Sequence, residues 1–166
     1  MKIVLTGSLG HITRPLAINL IKEGHQITII SSNSERQKEI EALGAVAAIG
    51  DMHDATFLTH TFKGVDVVYC MVPYPDIKKS FQEIVGEYTS VAENYKAAVL
   101  QTGISKMVIL SSVGAHMPSG NGLLQYAYAI EQAYNQLPEH ISIKFMRPVS
   151  FYYNLLSFIP VIKSQG

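Results

Sequence analysis

The sequence predicts an α/β fold in which helices cover both faces of one doubly wound parallel sheet, giving three layers, αβα. Three observations support this prediction. Short runs rich in Val and Ile alternate along the chain with longer stretches of helical spacing. The runs are apolar throughout, which is typical of parallel strands buried on both faces. The resulting order, βαβαβαβαβαβ, implies right-handed crossovers within one sheet.

Each element has its own signal. The strands are the apolar runs "KIVLT", "QITII", "AVAAI", "DVVYCMV", "MVIL" and "ISIKFM", at 2–6, 26–30, 45–49, 66–72, 107–110 and 141–146. The helices between them are predicted at 10–23, 34–43, 54–63, 79–102 and 121–137. Gly44, Gly64 and Gly103 fall where the second, third and fourth helices should end, as C-terminal caps do.

Length and composition limit the class of protein. The 166 residues, 48% of them hydrophobic, can bury one large core. Thirteen Lys and Arg residues balance thirteen Asp and Glu residues without a run of like charge, so a nucleic-acid partner is not expected. The apolar run at the N-terminus is too short for a signal peptide, and no segment approaches the roughly 20 apolar residues of a membrane span. We therefore expect a cytoplasmic protein without a membrane partner.

The residue types that bind metals give little signal. The single cysteine, Cys70, lies in an apolar run and is expected to be a buried, reduced thiol. The six histidines are scattered and show no recurring ligand spacing. No metal site is therefore expected.

The first strand runs into a glycine loop, "TGSLG", which opens the first helix. Gly7 permits the tight turn, and Gly10 lets the backbone approach a pyrophosphate at the helix N-terminus. The third glycine of the usual dinucleotide fingerprint serves packing, and here that position holds Thr13, whose hydroxyl can bond a backbone carbonyl one turn back. A bare structural turn is the alternative, but the strand–loop–helix setting favours a dinucleotide. The predicted loop contacts are Gly7, Ser8, Leu9, Gly10, His11 and Ile12.

The end of the second strand bears on which dinucleotide binds. NAD sites usually present an acid there for the ribose 2′-hydroxyl, but this chain reads "SSNSER", with Ser31, Ser32 and Asn33 and no acid before Glu35. Small polar side chains with Arg36 nearby suit a 2′-phosphate, so NADP(H) is preferred over NAD(H). Asn33 or Ser34 could equally cap the following helix, and both roles are compatible.

Two further strand ends are predicted to line the cofactor. After the third strand, Asp51 is placed to accept from the adenine amine while Met52 packs on the ring, although an ordinary helix cap by Asp54 is an alternative reading of the same stretch. The fourth strand ends in Met71, Val72 and Pro73, which should pass beside the cofactor.

Four motifs in this order resemble the NmrA-like, atypical branch of the short-chain dehydrogenase/reductase superfamily: "TGSLGHIT", "GDMHD", "SSVGAH" and "MRPVSFYYN". The resemblance spans essentially the whole chain. It implies an NAD(P)-binding Rossmann domain over residues 1–150, in a family whose members include quinone reductases, related reductases and redox-sensing regulators without evident turnover. In the family the last motif leads into a smaller substrate-binding part, so residues 151–166 are expected to begin that part.

This C-terminal stretch is strongly apolar and would leave a large exposed surface if nothing covered it. Either the sequence is a piece of a longer protein, or the patch packs against the sheet edge or a second copy, so a homodimer or protein partner stays open. The apolar residues concerned are Phe151, Tyr152, Tyr153, Leu155, Leu156 and Phe158.

The catalytic residues of the superfamily are incomplete here. The resemblance implies Ser, Tyr and a Lys four residues after the Tyr, and Ser112 and Tyr126 stand at an acceptable spacing. The position four after Tyr126 is Ile130, however, and a Tyr without that Lys is a poor base near neutral pH. The candidate catalytic residues are Ser112 to orient a carbonyl and His116 or Tyr126 to donate a hydrogen bond. Aromatic residues at helical spacing more often pack in a core, and a lone His is more often structural.

Two functions follow from these observations. The first is an NADPH-dependent oxidoreductase that reduces a quinone or a related conjugated carbonyl, because the product hydroquinone anion is acidic enough to need no strong protein acid. The second is a non-catalytic NAD(P)-binding redox sensor that acts through protein partners. Sugar-nucleotide epimerase or dehydratase chemistry is a distant third, since it normally needs the missing Tyr–Lys pair.

Overall fold

The computed structural model describes residues 1–72 and 78–165 of the chain. Its strands are β1 (Lys2–Leu5), β2 (Gln26–Ser31), β3 (Val46–Ile49), β4 (Val67–Cys70), β5 (Lys106–Leu110) and β6 (Ser142–Met146). Its helices are α1 (Thr13–Lys22), α2 (Gln37–Ala42), α3 (Ala55–Phe62), α4 (Phe81–Thr102), α5 (Gln125–Tyr134) and α6 (Ile159–Gln165). Short 3₁₀ turns cover Ser34–Arg36, Gly122–Leu124 and Tyr152–Phe158.

The sheet has the predicted doubly wound arrangement. All strand pairs are parallel, and the order across the sheet is β3-β2-β1-β4-β5-β6. The order reverses between β1 and β4, where Leu5 lies opposite Tyr69. A crevice opens at the carboxyl ends of the strands at such a switch point, which is where ligands bind in this fold.

Two apolar clusters form the core, one on each face of the sheet. Helices α3, α4 and α5 cover one face, with Phe62, Tyr95 and Ile130 at its centre. Helices α1 and α2 cover the other through Ala17 and Ile40. Because the strands are buried on both faces, they read in the sequence as continuous apolar runs, as predicted.

The predicted elements are confirmed, and their ends are set by caps. Ser80 and Glu83 form a reciprocal capping box at the start of α4, and Gly103 ends that helix with a φ of 72°. Asp54 accepts hydrogen bonds from the backbone amides of Thr56 and Phe57, so it caps α3. The predicted helices are longer than the observed ones because they include capping residues, such as Asp54 and Ser80, and neighbouring loop and turn residues, such as 10–12 and 121–124.

Beyond β6 the chain continues as largely exposed apolar residues. Tyr152 is 90% exposed and Leu156 is 63% exposed, whereas Phe151 is half-buried. Phe151 lines a groove of about 490 Å³ over β4, β5 and β6, together with Tyr69 and Met146. The uncovered apolar surface expected for this stretch is therefore present.

None of the helices within residues 1–72 and 78–165 combines the length and the apolar character needed to cross a membrane.

Candidate cofactor and active site

The glycine loop lies between β1 and α1, at the switch point. Gly7 has a φ of 90°, and a Cβ there would overlap the side chain of Met71. Ser8, with a φ of 53°, is the one residue other than glycine in the left-handed region within the described part of the chain. Such a conformation in a serine costs of order 1 kcal/mol, and it persists only where surrounding contacts hold it.

Backbone amides in this loop are available to a ligand. The amides of Leu9, His11 and Ile12 donate to no acceptor within residues 1–72 and 78–165. They surround the N-terminus of α1, where the helix dipole favours an anion. The loop therefore has the donors that a pyrophosphate requires, at the predicted place.

Thr13, at the third fingerprint position, is completely buried. Its hydroxyl donates to the carbonyl of Thr6 at 2.8 Å. The prediction of a carbonyl one helical turn back is thus wrong: the hydroxyl bonds the end of β1, because the side chain points at the strand rather than along its own helix. Thr13 serves helix-to-strand packing, the role that the glycine normally has.

The end of β2 is tied to the glycine loop by hydroxyl groups. The Ser8 hydroxyl donates to Ser31 Oγ at 2.9 Å, and Ser31 is 2% exposed. Ser31 Oγ also accepts from the amide of Asn33 at 3.2 Å. The Asn33 side chain accepts from the amide of Glu35, so the expected cap is Asn33 and not Ser34. The Ser31 hydroxyl is therefore engaged in hydrogen bonds within the protein, whereas the neighbouring Ser32 is exposed.

Positive charge collects just beyond this turn. Arg36 and Arg14 each donate to Glu39, at 2.6 Å and 2.7 Å. The hydrogen bond from Arg36, with the charge of both guanidinium groups, lowers the pKa of the Glu39 carboxyl. Two cations share one anion here, so the cluster keeps a net positive charge near the predicted ribose site.

The loop after β3 is held by hydrogen bonds to its own backbone and to α4. Asp51 accepts from the amide and from Nδ1 of His53, at 2.9 Å and 2.8 Å. The backbone hydrogen bond from His53 is the largest cause of a lowered pKa of Asp51. The Asn94 side chain donates to the carbonyls of Met52 and His53. Asp51 stays exposed, as an adenine contact requires, while Asp54 is the cap.

The main chain after β4 is held on both sides. The Met71 amide donates to Thr6 Oγ1 at 2.8 Å, and the Met71 carbonyl accepts from the Tyr95 hydroxyl at 3.2 Å. Met71 and Val72 both line the cleft beside the glycine loop. The predicted contact by Pro73 lies outside the described residues.

A cleft of about 280 Å³ adjoins this segment at the carboxyl ends of β4 and β5. Of the three candidate catalytic residues, Ser112 and Tyr126 line this cleft, whereas His116 is exposed and is not part of its lining. Ser112 is 7% exposed, and its hydroxyl has no hydrogen-bond partner within the described residues. The Tyr126 ring packs against Tyr88, with centroids 4.5 Å apart.

A buried carboxylate stands behind the cleft. Glu131, on α5, is 2% exposed and accepts from the Ser111 hydroxyl and from Nε and Nη2 of Arg147. Burial opposes ionisation of Glu131, but the hydrogen bonds from Arg147 and Ser111 outweigh it, so its pKa lies below the usual range. Glu131 is therefore ionised at neutral pH and is no proton donor. It holds the ends of β5 and β6 together.

The structure shows what occupies the position at which the resemblance implies a lysine. Ile130, four residues after Tyr126, is buried and apolar. Ile130 itself lines the cleft, so an apolar side chain stands at the position where the resemblance implies a lysine. Two residues of the crevice, Thr6 and Tyr95, were missed by sequence reasoning. Thr6 stands inside the glycine motif, which was the signal to find it, whereas nothing near Tyr95 in the sequence marks it.

Comparison with known proteins agrees with this geometry. A family model described as NAD(P)H-binding matches residues 7–141. The chain is 25% identical over 123 residues to a sterol-4-alpha-carboxylate 3-dehydrogenase of Dictyostelium discoideum, covering 72% of this chain and 38% of the relative. It is 27% identical over 112 residues to a 2-alkyl-3-oxoalkanoate reductase of Stenotrophomonas maltophilia, covering 68% of this chain and 33% of the relative.

Solved structures share the fold. An NADPH complex of an NADPH-dependent quinone oxidoreductase from Escherichia coli superposes with a TM-score of 0.77 at 20% identity, covering 96% of this chain and 53% of that one. A triphenylmethane reductase of Citrobacter, complexed with NADP(H), superposes with a TM-score of 0.75 at 18% identity, covering 100% and 56%. The chain thus spans about a third of the length of the curated relatives and about half that of the solved structures. On the family match and the fold it supports, the chain belongs to the NAD(P)H-binding family.

Proposed function

We propose that the chain is the cofactor-binding part of an NADPH-dependent reductase whose substrate is a quinone or a related conjugated carbonyl. The observation that carries this proposal is the position of Ser112. Its hydroxyl, without a protein partner in the described chain, lies on a mostly apolar cleft that also contacts Ile12 of the glycine loop and Met71. A cofactor held by the loop would bring its nicotinamide to that cleft.

The preference for NADPH rests on charge. The end of β2 offers no carboxylate for a ribose 2′-hydroxyl before Glu35, and Glu39 is already paired with Arg36 and Arg14. The exposed Ser32 and Asn33 with the Arg36 guanidinium can donate to a 2′-phosphate. Two solved relatives in the same fold carry NADPH or NADP(H), which supports the same cofactor here.

The lining of the cleft favours a flat and uncharged substrate. Leu124, Tyr126 and Phe151 supply apolar and aromatic walls, and no lysine, arginine or carboxylate of the described chain lines it. A sugar nucleotide or a carboxylate substrate would lack a cationic partner there. A quinone presents two faces that pack on such walls and a carbonyl oxygen that accepts a hydrogen bond.

The chain's own groups then perform three tasks. The glycine-loop amides bind the pyrophosphate, the walls orient the ring, and the Ser112 hydroxyl donates to the carbonyl oxygen where negative charge develops. Bound NADPH supplies the hydride, which brings both electrons. Hydride transfer would leave the hydroquinone anion, a weak base that takes up one proton from solvent, so neither a lysine nor an activated tyrosine is needed.

The proposal is tested first by binding. Purified protein is titrated with NADPH and, in parallel, NADH, following the fluorescence of the reduced nicotinamide. NADPH should bind more tightly, and Arg36→Met should weaken NADPH without weakening NADH. Equal affinities would refute the cofactor preference, and binding of neither cofactor by a folded chain would refute the proposed site.

Turnover is tested with a panel of benzoquinones and naphthoquinones. Ser112→Ala should lower kcat by about ten- to a hundredfold with an unchanged Kd for NADPH, since it removes one donor at the developing charge. Ser119→Ala, an exposed serine in the loop that follows β5, is the matched control and should change neither quantity. Tight NADPH binding without oxidation by any quinone would refute the reductase and favour the redox-sensor alternative.

A further inference from the structure

Buried hydroxyl groups connect five segments around the cofactor crevice. Thr13 on α1 donates to the Thr6 carbonyl, and Thr6 Oγ1 accepts from the Met71 amide. The Tyr95 hydroxyl, on α4, donates to the Met71 carbonyl at 3.2 Å and lies 3.9 Å from the sulfur of Met52. One chain of contacts therefore joins α1, the glycine loop, the segment after β4, α4 and the loop after β3.

Tyr95, like Thr6 and Thr13, lies where a bound cofactor cannot touch its side chain. It is completely buried, and burial is the largest cause of the raised pKa of its phenol, so the hydroxyl stays protonated and donates at every physiological pH. Its ring stacks near Phe62 inside the core, which fixes the direction of the hydroxyl. A rigid buried donor of this kind restrains whatever accepts from it.

Met71 is the residue through which the restraint by Tyr95 would affect cofactor binding. Its side chain lies so close to Gly7 that a Cβ on the glycine would overlap it, and Thr6 holds its amide. Movement of the Met71 main chain would therefore shift the wall that the glycine loop faces. A site held in its bound geometry before binding loses less entropy when the ligand arrives.

We propose that Tyr95 and Thr6 are positioning residues for the cofactor: they hold the Met71 main chain in the geometry that bound NADPH requires. The proposal rests on the proposed NADPH site, but it also makes a statement about the free protein. Without the Tyr95 hydroxyl, the Met71 segment should open more often even when no cofactor is present.

Tyr95→Phe and Thr6→Val remove one hydroxyl each and keep the shape of the side chain. Each should weaken NADPH binding by roughly five- to tenfold, as measured by nicotinamide fluorescence. Thr6→Ser retains the hydroxyl and should restore near-normal affinity even if Thr6→Val proves unstable. Because Thr6 and Tyr95 act on the same residue, the double variant should lose less than the product of the two single losses.

Tyr134→Phe is the matched control. Tyr134 is 1% exposed and belongs to the same apolar cluster, but it bonds none of the described cofactor segments. Its variant should bind NADPH like the unaltered protein. If Tyr134→Phe and Tyr95→Phe weaken binding equally, the effect is general loss of packing and the positioning role is refuted.

Hydrogen exchange separates failure of this inference from failure of the proposed function. In the cofactor-free protein, the amide of Met71 should exchange at least several-fold faster in Tyr95→Phe than in Tyr134→Phe. Faster exchange would support the restraint even if the unaltered protein bound no NADPH, which would refute only the proposed function. Unchanged exchange and unchanged affinity in Tyr95→Phe would overturn the inference while leaving NADPH binding intact.

Discussion

Replacing Glu131 by glutamine tests whether the buried carboxylate joins β5 and β6 as its contacts indicate. Oε1 accepts from both Ser111 and Arg147 Nε, and a glutamine oxygen can keep those two bonds. Oε2 accepts from Arg147 Nη2, and a glutamine amide at that place would set a donor against a donor. The variant therefore loses one charge-assisted bond and the ion pair.

The expected cost is about 2 kcal/mol in the free energy of unfolding. A hydrogen bond to a charged group contributes roughly 1.5–3 kcal/mol, and the part-exposed guanidinium recovers some hydration, which keeps the loss below the roughly 3–5 kcal/mol of a fully buried broken pair. In a chain of this size the melting temperature should fall by about 4–8 °C. Urea unfolding followed by circular dichroism measures the change directly.

The direction of the Glu131 pKa shift determines how the stability difference between the two proteins changes with pH. The pKa of Glu131 is lower in the folded than in the unfolded chain, so its stabilisation is present above the unfolded value of about 4.3 and is lost as the pH falls through the folded value. The difference between the two proteins should be constant from neutral pH to about pH 5 and should shrink in stronger acid.

Glu87→Gln is the control, because Glu87 pairs with Lys79 at the surface with 37% of its side chain exposed. That substitution should leave stability within experimental error. An equal loss in Glu87→Gln and Glu131→Gln, or a difference that grows in acid, would refute the reasoning.

Two further predictions concern Tyr69 and the glycine loop. Tyr69→Phe should raise stability by about 1 kcal/mol, because the buried hydroxyl of Tyr69 has no hydrogen-bond partner in the described chain. Thermal unfolding measures the change, and a lower melting temperature would contradict the prediction. Gly7→Ala should lower stability by about 1–3 kcal/mol and NADPH affinity more than tenfold, because alanine at a φ of 90° is strained and its Cβ overlaps Met71. The control is Gly86→Ala, because Gly86 is exposed within α4 and has open space around it. This substitution should instead raise the free energy of unfolding by about 0.5–1 kcal/mol. Similar behaviour of the two alanine variants would contradict the steric account.

Most of the fold was predictable because its signals are local. Continuous apolar runs mark parallel strands wherever both faces are covered, and Gly103 marks the end of α4 by the left-handed turn it permits. The errors are local as well. The fourth strand was predicted to reach residue 72 but ends at Cys70, because Met71 bonds the side chains of Thr6 and Tyr95 instead of a neighbouring strand.

The candidate site was predictable only where one segment supplies both the geometry and the chemistry. The glycine loop does so, since its backbone amides and the helix that follows lie within a few residues of one another. The contacts of Tyr95 and of the Glu131–Arg147 pair instead join segments that are distant in the sequence. The Tyr95 hydroxyl meets Met71 across 24 positions of sequence, and Arg147 meets Glu131 across 16, and no spacing rule links such pairs before the sheet is formed.

The same distinction explains why cofactor binding is easier than catalysis to predict for this chain. Phosphate recognition uses main-chain amides, which any sequence that folds into this turn presents. Acid–base catalysis needs particular side chains brought together from separate elements, and here the position four after Tyr126 is the core residue Ile130, while Glu131 is bound by Arg147. The reductase that we propose would need no such pair of side chains, because the bound cofactor would supply the hydride and the chain would supply position and one hydroxyl, at Ser112.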